Sequence, residues 1–430
     1  MRKKWYRLDT AALIFPAIAR RDWSNAFRLS ATLTEPVDPA LLQQAADDLR
    51  PRFPSFYVAL RQGFFWYYLE EIPSGNGRGL QVRRDYAYPL TFMSRRELRR
   101  GCLRVLYHEN RIAVEFFHSL TDGTGGRIYL CSLTARYLFL KYGTRVPPGG
   151  LILDPADPPA PQELEDSFLR NAAPAAAGRT RERSFHLRGT RNPNGVKTLT
   201  TGIADTDALL AAAHRYHVSV TAFLAAVMAE SVIAVQRQLL PVRRQRPVRV
   251  TVPVNLRRLF GSRTLRNFAL VLDVGVDPRF GDYSLEELCA SIRHQLGAGA
   301  TRQHMAGMIA ANVRPQRNPL LRLTPVLLKD LVMNAVYRRS GETGGSLNIS
   351  NLGPTELPAE MRGYVERMEF IIGPQRSYPN NCSVLSFGGR TCISMIRSIH
   401  ESELERRLFS RLVELGVAIE IECDMNAAGG

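Results

Sequence analysis

No two of the six cysteines, Cys102, Cys131, Cys289, Cys382, Cys392 and Cys423, form a Cys-x-x-Cys pair. Zinc and thioredoxin-type chemistry therefore lack their usual spacing. Scattered thiols of this kind are expected to be reduced and mostly buried. No window approaches about 20 uncharged apolar residues, which leaves no candidate membrane span. Met1-Arg2-Lys3-Lys4 and the apolar stretch Ala11 to Ala19 imitate a signal peptide. Arg7 and Asp9 interrupt it, Pro16 breaks it and Arg20-Arg21 follow at once, so a cytoplasmic location is expected. Lysine is scarce as well. It stands only at 3, 4, 141, 197 and 329, so 52 of the 57 basic residues are arginine, and the net charge is +17. Such an excess either covers solvated faces or attracts an anionic partner: phosphates, an acidic protein, nucleic acid or a membrane surface. Charge alone does not choose among them.

The 430 residues suffice for two to three units of about 150 residues, each with its own core. No short-period repeat is present. Pro147 to Pro161 is rich in proline, and Asn171 to Asn194 in Ala, Arg, Gly and Pro. Such stretches run over surfaces. They divide the chain into an N-terminal lobe 1–170, an interlobe linker 171–194 and a C-terminal lobe 195–430. Strands are expected at 26–34, 103–107 and 111–117 in the first lobe. In the second they are expected at 196–203, 248–254, 268–276, 346–350, 366–372, 383–387 and 391–398. Helices are expected at 38–49, 123–141, 205–216, 219–236, 284–297, 320–336 and 402–415, several opened by Ser or Asp caps. The run Phe64 to Leu69 reads as an aromatic strand packed in the core, and the apolar helices around Leu224 and Leu327 read as core or as the lining of a ligand tunnel. Strands and helices mixed in both lobes give an α/β (α+β) class with mixed sheets and a cleft between lobes.

The segment Phe117-His118-Ser119-Leu120-Thr121-Asp122-Gly123 carries the chemistry. An apolar strand delivers His118 at its end, and Thr121 or Asp122 caps the helix that follows. An imidazole held there titrates near neutrality and can take and return a proton. Asp122 at a helix N-terminus gains from the dipole and stiffens the turn. Gly123, Gly125 and Gly126 remove side chains where a ligand or the other lobe approaches.

His118-Ser119-Leu120-Thr121-Asp122-Gly123 resembles the HxxxDG motif of chloramphenicol acetyltransferases, plant BAHD acyltransferases, condensation domains of peptide synthetases and wax-ester synthases. The stand-alone bacterial alcohol-acetyltransferase-like branch is the most similar. Three further stretches resemble that branch in order: Pro253-Val254-Asn255-Leu256-Arg257, Thr264-Leu265-Arg266-Asn267-Phe268, and Asn348-Ile349-Ser350-Asn351-Leu352-Gly353-Pro354. Together they span about residues 5 to 420.

The resemblance implies two chloramphenicol-acetyltransferase-like lobes in a V, with a central substrate tunnel and His118 near its middle. It implies an acyltransferase with His118 as general base and Asp122 as a structural residue paired with Arg257. Asn255 and Asn267 would brace the lobe interface. Ser350 and Asn351 would polarise the thioester oxygen or line the tunnel; alternatively they only shape the strand end before Gly353-Pro354. No metal and no permanently bound cofactor is expected. Acyl-CoA or a phosphopantetheine thioester would be the co-substrate, and a small alcohol or amine the acceptor. An acyl carrier protein is a second source of donor, which keeps a carrier-dependent condensation catalyst open, as is a non-catalytic scaffold of the same fold. Condensation domains usually place a histidine before the catalytic one; Phe117 stands there instead, which favours a free-standing enzyme. A monomer is expected.

The run Arg243-Arg244-Gln245-Arg246 with Arg249 suits either CoA phosphates or a solvated turn. Aromatics are not interleaved with it, so nucleic-acid binding is not expected. His214 and His217 lack a third ligand, and a solvated helix end is expected there.

Overall fold

The computed structural model describes residues 4–19, 25–73, 79–86, 89–175, 182–337, 343–375 and 377–423. Two large sheets carry the fold. The first has five strands in the order Val365–Ile372, Ala26–Leu33, Arg111–Phe117, Leu103–His108 and Val82–Arg84. The second has seven, in the order Ala269–Val276, Val248–Asn255, Leu347–Pro354, Asn380–Phe387, Arg390–Arg397, Thr198–Asp205 and Ile419–Cys423. Leu347–Pro354 runs parallel to both neighbours; the other pairs of this sheet are antiparallel. A small sheet joins Trp5–Arg7, Tyr67–Glu71 and Val58–Gln62.

Helices cover the sheets because their apolar sides must leave water. Gly123–Tyr142 and Pro39–Leu49 pack together beside the first sheet. Asp122 caps the former at its start, and Gly143, at φ 72°, closes it in the left-handed region. The core beneath is aromatic: Phe116 meets Phe27, Phe56 and Tyr129 at centroid distances of 5.2, 5.6 and 5.8 Å. Against the second sheet lie Val220–Leu239 and Leu285–Gly299, with Glu403–Glu414 packed on the former. Ser219 and Ser284 cap the first two as expected, the latter with a full capping box. Val220–Leu239 is long and apolar enough by composition to cross a membrane, yet most of it lies inside the second core.

The chain-order division into 1–170 and 195–430 does not contain one exchange. Val365–Ile372 pairs along Ala26–Leu33 and forms the edge of the first sheet. Its neighbour in sequence, Asn380–Phe387, belongs to the second. The first sheet is thus completed by a segment of the chain that otherwise builds the second.

Three expectations need correction. The stretch 320–336 is not one helix: Thr324-Pro325 breaks it into Pro319–Leu323 and Val326–Val336. It is not core, since Leu327 and Leu331 are 69% and 68% exposed. Nor is Phe64 to Leu69 a buried aromatic strand. The strand begins at Tyr67, with Phe64 and Trp66 70% and 52% exposed ahead of it. The sequence reading has no helix at Arg302–Arg317, although Met305, Met308, Ile309 and Val313 recur there at helical spacing and are buried. All six cysteines are free; five are buried and Cys423 is exposed.

Phe116→Ala is expected to cost about 3–5 kcal/mol, because it leaves a hole among rings that cannot close up. A lower denaturant midpoint at unchanged slope in chemical unfolding would show it.

Candidate active site

The strand Arg111–Phe117 is buried along almost its whole length. It leads into His118, whose N–H donates to Asn25 O at 2.8 Å, one step past the end of the strand. A tight turn follows, with Leu120 N donating to Phe117 O at 2.9 Å. The imidazole stacks on Phe15 at 4.6 Å and 17°, and Phe27 meets its face edge-on at 5.2 Å. His118 nevertheless keeps some accessible surface. Loss of hydration lowers its pKa below the ordinary imidazole value; its own carbonyl, Asp122 and Asn267 pull the other way and only reduce the shift. The ring is therefore neutral at neutral pH.

The neighbours also select its tautomer. Asn267 Nδ2 donates to His118 O at 2.9 Å and to Asp9 Oδ2 at 3.1 Å. Both are acceptors only, so the amide orientation is fixed and Oδ1 must be the atom 3.0 Å from His118 Nδ1. An amide oxygen only accepts. His118 Nδ1 therefore carries the hydrogen, and Nε2 keeps the lone pair.

Behind this arrangement stands Asp9, fully buried, which the sequence reading passed over. Its Oδ2 also accepts Asn267 N at 3.3 Å, and its Oδ1 accepts Ala12 N at 2.8 Å. Burial pushes its pKa up to about 6, against the pull of Arg266 at 3.6 Å. The only signal in the sequence was an acid beside an apolar stretch.

Asp122 joins the two lobes. Arg257 grips it with Nη1 on Oδ2 at 2.8 Å and Nη2 on Oδ1 at 3.0 Å. Phe268 N donates to Oδ2 at 2.9 Å. Thr124 N and Gly125 N, the start of the helix, donate to Oδ1 at 3.1 and 3.3 Å. Burial alone would raise the pKa of Asp122; Arg257 and these donors outweigh it, and the carboxyl lies below the usual range. Arg257 spends its other N–H groups on Thr264 O, Arg266 O and Asn255 Oδ1. Asn255 reaches back across the interface to Thr124 Oγ1 at 3.2 Å.

Glycine lets the lobes meet. A Cβ on Gly125 would stand 2.2 Å from Thr121 Oγ1 and 2.3 Å from Leu265 O. Thr121 itself donates to that carbonyl at 2.6 Å. A Cβ on Gly123 would meet only the tip of Leu352, at 2.7 Å.

Ser350 and Asn351 lie on Leu347–Pro354, whose end passes this helix start: Arg127 Nη1 donates to Leu352 O at 3.0 Å and Pro354 O at 3.1 Å. Asn351 donates one amide hydrogen to Thr221 Oγ1 at 3.0 Å and accepts Gly353 N at 2.7 Å. The turn expected before Gly353-Pro354 is thus present, and the second Asn351 amide N–H has no partner among the described residues. Ser350 is half-buried. Arg243, Arg244 and Arg246 are exposed on a turn whose Gln245 is buried, and Arg249 pairs with Glu182 at 2.9 Å. No group of three or more metal-ligating side chains occurs among the described residues.

No protein-family model matches the chain, and no curated protein does. Solved structures do. The trichothecene 15-O-acetyltransferase TRI3 of Fusarium sporotrichioides superposes with a TM-score of 0.57 at 13% identity, over 96% of this chain and 94% of its own. F. graminearum TRI101, complexed with coenzyme A and T-2 mycotoxin, gives 0.60 at 12% identity, over 99% and 100%. A mutant starter condensation domain of rhizomide synthetase in complex with C8-CoA gives 0.61 at 13%, over 96% and 95%. The chain has the chloramphenicol-acetyltransferase-like fold of condensation domains and related acyltransferases. At these identities the likeness is one of fold, and it runs over nearly the whole chain.

Within this condensation-domain-like fold the junction is expected to be brittle. Arg257→Ala leaves a buried carboxylate without its cation and is expected to cost about 3–5 kcal/mol in chemical unfolding. Arg257→Lys should recover little of it, because an ammonium cannot grip both oxygens. Gly125→Ala is expected to cost about 1–3 kcal/mol, and Gly123→Ala less, since a leucine tip yields where a backbone carbonyl does not. Thermal melts of the two variants compare them directly.

Proposed function

We propose that the chain is an acyltransferase that moves an acyl group from a thioester of coenzyme A, or of a carrier-borne phosphopantetheine, onto a small alcohol or amine. The observation that carries this reading is the neutral His118 with Nδ1–H tied to Asn267, which leaves Nε2 as a base. An acceptor O–H or N–H bonds to Nε2. As its heteroatom attacks the thioester carbonyl carbon, the proton passes to Nε2 and negative charge collects on the carbonyl oxygen. Asn267 Oδ1 and the nearby Asp122 carboxylate favour the imidazolium that forms. When the tetrahedral intermediate collapses, the carbon–sulfur bond breaks and the departing thiolate takes the proton from Nε2. The products are an ester or amide and a free thiol, and His118 is neutral again. Base catalysis of this kind contributes about 10²–10⁴-fold. The spare N–H of Asn351 and the Ser350 hydroxyl are the candidates to meet the carbonyl oxygen.

The fold likeness supports a CoA-linked donor, since two of the similar structures hold coenzyme A or C8-CoA. Phe117 is fully buried, so the position before the base serves packing. Both lobes of one chain complete the His118 surroundings, in keeping with a monomer. A cytoplasmic location fits a CoA-dependent enzyme.

Thiol release from acyl-CoAs of graded length, with mixed alcohols and amines, tests the reading. Release is expected to require an acceptor and to fall at least about a hundredfold in His118→Ala. Equal, negligible release from both proteins, with acyl carrier proteins as well as CoA, would reject it.

Because burial lowers the pKa of His118, kcat/KM is expected to rise with pH and level off, with its midpoint below the ordinary imidazole value of about 6.5. Asn267→Ala frees the ring to adopt the other tautomer. It is expected to lower kcat about tenfold or more with little change in KM, and to move that midpoint. A fall in kcat with an unmoved pH profile would reduce Asn267 to a structural role.

A further inference from the structure

Val326–Val336 is built inside out. Its polar side chains face the protein: Lys329 Nζ donates to Phe65 O at 2.7 Å, Asp330 accepts Tyr67 OH at 2.6 Å, and Asn334 Nδ2 donates to Ala17 O at 2.6 Å. Its apolar side chains face out. Leu327, Leu328, Leu331, Val332 and Val336 are 50–69% exposed. The short helix Pro319–Leu323 before it adds Leu320 and Leu323, and Phe64, whose carbonyl accepts Val326 N, sits alongside with Trp66. A helix against water normally shows the opposite polarity. Monomers rarely expose an apolar patch beyond about 300–600 Å² unless it binds something.

The charge around this face names the partner. Residues 288–329 contain no acid, and Arg314, Arg317 and Arg322 are exposed and lie close to the leucines in sequence. Arg338-Arg339 follow in the sequence. Asp330 is the lone acid in the stretch and is turned inward onto Tyr67. A second copy of a chain at +17 would meet this face with repulsion, and a neutral apolar partner would make no use of the arginines. We propose that the face formed by Pro319–Val336 with Phe64 and Trp66 seats on an anionic lipid bilayer. The leucines and aromatics enter the interface and the arginines meet lipid phosphates. Trp66 suits the headgroup level. The helix lies against Phe15–Ile18, and Phe15 stacks on His118, so the bilayer would lie one short helix away from the base. The inference stands without the proposed reaction.

Flotation of the full chain with vesicles of equal parts phosphatidylcholine and phosphatidylglycerol tests it. Wild type is expected to float, with at least about tenfold weaker binding to phosphatidylcholine alone and in high salt. Leu327→Gln/Leu331→Gln and, separately, Arg317→Glu/Arg322→Glu should each weaken binding about tenfold or more. All four side chains are exposed, so thermal melts should not move. Wild type left at the bottom of the gradient would overturn the proposal. So would binding that survives the leucine substitutions, or a lipid-free dimer in sedimentation that Leu327→Gln/Leu331→Gln converts to monomer, which would make a second copy the occupant.

Discussion

One carboxylate holds the site together. Asp122 accepts two N–H groups from the helix it caps, two from the Arg257 guanidinium and one from the backbone of Phe268. The first pair belongs to one lobe and the other three to the second. A surface ion pair would add little. Here the pair is buried, so losing one member strands a charge in a poor solvent. The same grip sets the position of Asn267, one residue before Phe268, and Asn267 sets the tautomer of His118. The distance between lobes is fixed at Gly125 by a carbonyl, which no small rearrangement can move. The His118 ring, its orienting amide and the interlobe ion pair therefore form one connected unit.

The parts of this arrangement that are local were legible in the sequence. A run of apolar, β-prone residues ending in His118, then a capping acid and glycines, fixes a strand, a turn and a helix with little ambiguity. Arg257 was legible only through the resemblance, because nothing in its own surroundings separates it from 51 other arginines. Asp9 was not legible. The amide it holds, Asn267, lies 258 residues away, and near its own position it reads as an interruption of an apolar stretch. The exchange of Val365–Ile372 into the first sheet was hidden for another reason: alternation announces a strand without announcing which sheet it joins. Leu327 failed more instructively. The apolar period of its helix was real, and the assumption that the apolar side faces the core was false.

The arginine excess has two uses that composition alone did not separate. Some arginines are internal fasteners. Arg28, Arg52, Arg104, Arg257 and Arg266 are almost wholly buried and paired with Asp or Glu. Lysine would serve poorly there, since its ammonium can be deprotonated by burial and cannot satisfy several fixed acceptors in one plane. Others, such as Arg317 and Arg322, lie on an outer face with no acid nearby in sequence. The net charge is thus not spread evenly, and its local excess falls where the exposed leucines are.

The segment from Trp5 to Ala19 ties these features to one another. Asp9 holds the amide that orients the His118 ring. Thr10 bonds through both its N–H and its hydroxyl to Asp166, just before the interlobe linker. Phe15 covers the imidazole, and Ala17 receives the inward amide of the inverted helix. A short stretch with this many long-range partners cannot shift at one contact and stay still at the others. Phe15 forms one wall around His118 and Ala17 holds the outer helix, so the four residues Phe15–Ile18 link that helix to the imidazole. The ring keeps its tautomer through Asn267 on the opposite lobe, and Asp9 of this same stretch holds that amide, so one segment bears on both the wall and the orientation of His118.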